Sequence, residues 1–159
     1  QGLSQAIGIA LALKLDNLKN SVYCLGSDAE LQEGQIWEAA MSAGNYKLSN
    51  LTWIIDRNNI QIDGYTESVM PIEPIREKLE AFNWYVLEID GHNIEEIISA
   101  CNHAKAIFDR PVAIIAHTIA GKGIDFMEYN YEWHSKKLNP SEVKEALNEL
   151  RTLSGKIEV

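Results

Sequence analysis

Apolar positions along the 159-residue chain alternate between two spacings. Near the start, "AIGIALALKL" (Ala6–Leu15) is the most apolar segment, and Leu3 to Leu15 fits a helix whose Ala6, Gly8, Ala10 and Ala12 suit close packing. "SVYCLG" (Ser21–Gly26) is a short apolar run, the pattern of a strand buried on both faces. The helical spacing returns from Gln35 to Tyr46, with Ile36, Ala39, Ala40 and Ala43 along one side. "LTWII" (Leu51–Ile55) is a second buried strand that ends in the polar "DRNN". Pro74 to Phe82 reads as helix, "YVLEI" (Tyr85–Ile89) as strand, and Ile94 to Phe108 as helix behind an Asn93 cap. "PVAIIAHT" (Pro111–Thr118) is a fourth strand. A polar and aromatic stretch, Ile119 to Leu138, precedes "NPSEVKEALNEL" (Asn139–Leu150), which opens a last helix with capping chemistry.

Strands and helices that alternate over such short connections predict right-handed βαβ units. The fold class is therefore α/β, a parallel β-sheet covered by helices on both faces. Residues 1–152 are expected to form a single domain and residues 153–159 a C-terminal tail. Ligands of such sheets bind at the carboxyl ends of the strands. Those ends are the loops Gly26–Gly34, Asp56–Gly64, Asp90–Asn93 and Thr118–Leu138, which hold most of the unusual Asp, Asn, His and Gly residues.

Composition narrows the partners. A hydrophobic content of 46% and a net charge of −9 describe a globular acidic protein with no basic face for nucleic acid. Ala6–Leu15 is too short to span a bilayer and runs into "DNLKN", so no membrane association is expected and a cytoplasmic location is. Cys24 lies in an apolar run and Cys101 in a helical pattern, without a CxxC or nearby His pair, which predicts buried free thiols in a reducing compartment. The chain has no initiating Met and enters its first helix at once, so an incomplete N-terminus is expected.

Asp28 follows the first strand and Asn58 the second. Adjacent parallel strands would place a carboxylate and an amide oxygen side by side, and with a backbone carbonyl they suit Mg²⁺ or Ca²⁺. Asp and Asn also follow strands simply because they make turns. The surrounding residues separate the two readings. "SDAELQEGQIWEAAMSAGNYKLSNLTWIIDRNNIQIDG" (Ser27–Gly64) resembles the thiamine diphosphate motif of transketolases. That motif runs Gly-Asp-Gly-Glu, a Glu-Gly step, a Trp-Glu-Ala helix, Lys-Leu-x-Asn-Leu, and an Asp-x-Asn loop closing on Asp-Gly. The resemblance extends to "GLSQAIGIALALKL" before it and to "IDGHN" and "HTIAGKGIDFMEYNYEWHSK" after it, from Gly2 to about Leu150. It is closest to the split form, in which transketolase is divided between two polypeptides and this chain is most of the N-terminal one.

The resemblance implies the thiamine diphosphate-binding fold, with thiamine diphosphate and Mg²⁺ (or Ca²⁺) as cofactors. It makes Asp28 a metal ligand through its carboxylate, Asn58 a second through its amide oxygen, and Ile60 a third through its carbonyl. Ala29 holds the place where a backbone N–H meets the diphosphate, and Glu33 that of an acid at the contact between the two halves. His134 matches a histidine facing the diphosphate and substrate channel, the one catalytic assignment. Glu33 could instead be a solvated helix acid, His134 a surface loop residue and Lys122 either a phosphate contact or a solvated lysine. His92 reads as a turn residue.

Three departures stand out. Ser27 and Ala29 replace both glycines of Gly-Asp-Gly, and Ser135 follows the histidine where the family has Gly. Ala29 is harmless at negative φ and costs about 1–2 kcal/mol if the position is left-handed. The implied reaction transfers a two-carbon ketol unit from a ketose phosphate to an aldose phosphate. Its partner is the C-terminal, aminopyrimidine-binding subunit, in a dimer of heterodimers, without which the chain is expected to be inactive. Two alternatives stay open: 1-deoxyxylulose-phosphate synthase or 2-oxo-acid dehydrogenase chemistry on the same cofactor, and a degenerate assembly subunit.

Overall fold

The computed structural model describes residues 1–154. Helix α1 (Gly2–Leu15) leads into strand β1 (Val22–Ser27), helix α2 (Gly34–Asn45) and strand β2 (Leu51–Arg57). A two-residue-per-arm hairpin, β3 (Ile60–Gln61) and β4 (Gly64–Tyr65), follows with the short helices α3 (Thr66–Val69) and α4 (Ile75–Ala81). Strand β5 (Tyr85–Asp90), helix α5 (Ile94–Ala104), strand β6 (Val112–His117) and helix α6 (Pro140–Ser154) complete the order. The main sheet runs β1–β2–β6–β5 with every neighbouring pair parallel.

Strand periodicity sorts the core into two layers. Cys24, Trp53, Ile55, Val86, Ala113 and Ile115 face α1, α2 and α4 in the larger core. Val112 and Ile114 pack on the opposite side against Ala100 and Ala104 of α5. Leu25 at the β1 end of that side is 74% exposed. Trp84 and Trp53 meet edge to face at 5.9 Å, and the buried Trp84 indole donates to the Ala40 carbonyl at 2.8 Å. α2 can come this close to the turn after α4 because Gly44 has no side chain: a Cβ there would lie 1.7 Å from the Phe82 carbonyl oxygen.

Some boundaries differ from the sequence expectation. α5 stops at Ala104, not Phe108, because Ala106 and Ile107 donate to His103 and Ala104 in tight turns that bring the chain to Pro111. The β3–β4 hairpin falls at the end of the expected Asp56–Gly64 loop, and α3 follows it in a stretch without a sequence assignment. Asn93 caps α5, accepting from the Glu95 and Glu96 amides. Asn139 caps α6, and Glu142 reaches back to the Asn139 amide at 2.7 Å, a reciprocal capping box. α6 continues to Ser154, into the expected tail, whose residues 155–159 lie outside the described ones. Cys24 is buried as expected, whereas Cys101 is only partly so, and both are free. Among the described residues no helix is long and apolar enough to cross a membrane.

Candidate functional site

β1 and β2 are neighbours in register, with Ser27 opposite Asp56, so their carboxyl ends open at the same place. The Asp28 amide donates to the Asp56 carbonyl at 3.0 Å and extends the ladder by one residue. Asp28 is thereby pinned beside the turn that carries Asn58. Its side chain is fully buried. One carboxylate oxygen, Oδ2, accepts from Arg57 Nη1 at 2.7 Å, from the Asn59 amide at 2.7 Å and from Thr66 Oγ1 at 3.3 Å. The other, Oδ1, is buried with no hydrogen-bond partner. Among the described residues the only other such atom is Asn50 Oδ1, at the opposite end of the sheet.

Asn58 is held by its own neighbours. Its Nδ2 donates to Asp56 Oδ2 and its Oδ1 accepts from the Ile60 amide, both at 3.0 Å. Asp56 is held in turn by a hydrogen bond from Thr118 Oγ1. Asn59 adopts φ of 65°, a left-handed conformation that Asn tolerates, and its amide points at Asp28. Asp28, Asn58 and Ile60 thus form one hydrogen-bonded corner. Among the described residues no cluster of His, Cys, Asp or Glu is large enough to hold a metal by itself. A cation here would take one carboxylate, an amide oxygen and a carbonyl, the hard oxygen donors suited to Mg²⁺ or Ca²⁺. The unpartnered Oδ1 fits that role, since a buried carboxylate oxygen without a donor is costly unless a cation meets it.

Ala29 opens a short 3-10 turn, Ala29–Gln32, and is not among the residues with positive φ. Its methyl group therefore brings no left-handed strain. The Ser27 amide donates to Glu30 Oε1 at 3.2 Å, which gives Glu30 a local structural role. Burial first, then the nearby Glu30 charge, pushes the Cys24 thiol above its usual pKa. Glu33 is the exposed residue before α2, with its side chain in no cap hydrogen bond. His134 ends a 3-10 turn, Tyr131–His134, and is exposed. That turn sits on the hairpin after Asn58, with Tyr131 against Tyr65 at 5.4 Å, but no hydrogen bond joins His134 to Asp28 or Asn58. Lys122 pairs with Glu128 at 3.6 Å and is half exposed. His92 holds the turn after β5, its Nε2 accepting from the Ile119 amide at 2.8 Å.

One residue escaped the sequence reading. Arg57 is 3% exposed and forms ion pairs with Asp28, Glu67 and Glu73 at 2.7, 2.9 and 2.9 Å. Burial opposes its charge, yet hydrogen bonds to Asp28 and Glu73 outweigh it and hold the guanidinium above its ordinary pKa. A signal was available, because Trp53, Ile55 and Arg57 alternate onto one side of β2.

A parallel sheet flanked by helices, whose first two strands end in a buried Asp and an Asn turn, defines the class as an α/β domain. Residues 1–152 match the family model described as transketolase, thiamine diphosphate binding domain. The chain is 47% identical over 150 residues to the 6-deoxy-6-sulfo-D-fructose transketolase subunit SqwG of Clostridium sp. (strain MSTE9), covering 94% of this chain and 54% of that one. It is 41% identical to an apulose-4-phosphate transketolase subunit of Phocaeicola vulgatus, covering 99% and 56% respectively. The crystal structure of transketolase from Campylobacter jejuni superposes with a TM-score of 0.86 at 35% identity, over 93% of this chain and 24% of that one. The chain belongs to the transketolase family, as its thiamine diphosphate-binding domain, and spans about half the length of the split-type curated relatives it matches.

Proposed function

We propose that this chain supplies the diphosphate side of a thiamine diphosphate site in a split transketolase. The observation that carries the reading is the buried Asp28 carboxylate with one oxygen saturated and the other unpartnered, beside the Asn58 turn. Asp28 Oδ1, Asn58 Oδ1 and the Ile60 carbonyl would hold Mg²⁺, and the Ala29 amide would meet the diphosphate. When bound, the cofactor supplies the carbanion chemistry of ketol transfer. The protein anchors it, excludes water around the buried Asp28, and offers His134 to a substrate hydroxyl or phosphate. Glu33 stands exposed where a partner subunit would close on the site.

The reaction is transfer of a two-carbon ketol unit from a ketose bearing a terminal anionic group to an aldose phosphate. The names of the relatives, which concern a sulfonated fructose and a phosphorylated apulose, support an anionic donor and a second polypeptide. They also favour transketolase over the other enzymes of this cofactor. The reading as a degenerate assembly partner loses one of its motives, since Ala29 is not left-handed.

Titration of the full-length protein, assembled with its partner subunit, with thiamine diphosphate and Mg²⁺ tests this. Saturable Mg²⁺-dependent binding that Asp28→Ala abolishes is the expected result, and its absence overturns the reading. Binding without ketol transfer from xylulose 5-phosphate, apulose 4-phosphate or 6-deoxy-6-sulfofructose would refute the reaction while leaving the cofactor site.

A further inference from the structure

The Asp28 carboxylate is satisfied in a lopsided way. Its three hydrogen bonds all fall on Oδ2, and Oδ1 receives none. An ionised carboxylate this deep needs both a compensating charge and a fixed orientation. The Asn59 amide and Thr66 hydroxyl supply orientation, but among the described residues only Arg57 pairs with it as a charge. Arg57 is itself locked. Its Nη2 reaches Glu67 and Glu73 at 2.9 Å, and its Nε reaches Glu73 at 3.2 Å. Both acids are tied to backbone in turn, Glu67 by the Ile72 amide at 3.3 Å and Glu73 by the Ile75 amide at 3.0 Å. The chain of interactions runs from partly exposed acids, through a buried guanidinium, to the innermost carboxylate.

We infer that Arg57 is a positioning residue for the metal site, holding the Asp28 carboxylate turned so that Oδ1 alone faces the cation. This rests on the reading of Asp28 as a metal ligand. Two physical effects give opposite expectations for removing Arg57. Charge alone predicts tighter binding, because a cation next to the ligand has gone. Positioning predicts weaker binding, because the buried carboxylate loses its charged partner and its orientation rests on the Asn59 amide and the longer Thr66 contact alone. An outer partner that orients a metal ligand is worth roughly 10–100-fold in affinity, so positioning should win. The planar fork matters as well, since Arg57 binds Asp28 through one nitrogen and the outer acids through the other two. A lysine can keep the charge but cannot make both sets of contacts.

The test is a Mg²⁺ titration at saturating thiamine diphosphate, read by calorimetry on the full-length protein with its partner subunit. Thermal unfolding by circular dichroism, without cofactor, runs in parallel to fix the folded fraction. Arg57→Gln is expected to weaken apparent Mg²⁺ affinity about tenfold or more, with Arg57→Lys restoring part of the loss. Glu73→Gln keeps the Asp28 contact while loosening the guanidinium, and is expected to fall between Arg57→Gln and the wild type. Unchanged or tighter Mg²⁺ binding in Arg57→Gln overturns the inference. If Arg57→Gln fails to fold, wild-type affinity in both Arg57→Lys and Glu73→Gln overturns it instead. Wild-type protein that binds neither Mg²⁺ nor thiamine diphosphate overturns the metal-site reading itself, and the positioning role with it.

Discussion

Each residue singled out in the Gly26–Gly34 loop has a definite setting. Asp28 is buried, Glu30 ties back to the Ser27 amide, Glu33 is exposed, and Ala29 begins a right-handed turn. Restoring glycine at position 29 should therefore bring no gain. Ala29→Gly is expected to leave cofactor affinity unchanged in calorimetry and to lower stability by roughly 0.5–1 kcal/mol in urea unfolding, the usual entropic difference between the two residues. A clear rise in affinity would show that the methyl group obstructs the diphosphate. The two thiols should also separate. Cys24 is buried with its pKa raised, while Cys101 is partly exposed. Iodoacetamide at neutral pH is expected to label Cys101 first, as read by mass spectrometry, because only the thiolate reacts.

At the scale of elements, the fold depends on how closely helices approach the sheet and one another. Gly44 lets α2 lie against the turn after α4, where a Cβ would overlap the Phe82 carbonyl at 1.7 Å. Gly44→Ala must push that backbone away, and overpacking of this kind costs about 1–3 kcal/mol or more. Urea unfolding should show the loss as a lower midpoint, and an unchanged midpoint would mean that α2 sits further from the turn. The Asn93 cap is a milder test. Asn93→Ala removes a side chain that accepts from two amides at the start of α5 and should cost about 1 kcal/mol.

Across the whole molecule, acid stability has an identifiable contributor. Glu88 on β5 lies between His117 and Arg76, at 3.0 and 2.6 Å, and hydrogen bonds from His117 first and Arg76 second hold its pKa below the usual carboxylate value. A depressed pKa adds stability above the unfolded carboxylate value, and that stability is lost as pH falls through the lower folded value. Glu88→Gln should therefore flatten the stability profile below about pH 5 and change it little where both forms are already protonated. Glu88 is partly exposed, so the effect should be small and reduced by salt. A profile identical to wild type in low salt would refute the assignment.

Much of this was legible in the letters. Strand and helix periods are local, so the four main strands and most helices follow from them, and the twist of strands feeding helices makes the connections right-handed. The Asp28 and Asn58 turns could be placed at neighbouring strand ends because short βαβ units leave few other arrangements. Boundaries such as the end of α5 depended on where Pro111 had to arrive, which no local period encodes.

What the sequence by itself determined is the α/β class, the strand-end loops and the family motif, because all three are written in spacing along the chain. Only the tertiary structure decided that Asp28 is fully buried, which of its oxygens is free, and that Arg57 faces inward to meet it. Those facts arise from residues 29 and 38 positions apart, brought together by β1, β2 and the hairpin beyond. Electrostatics inside a protein depends on distance and burial rather than on order in the chain, so the partners of a buried charge are settled only when the fold closes.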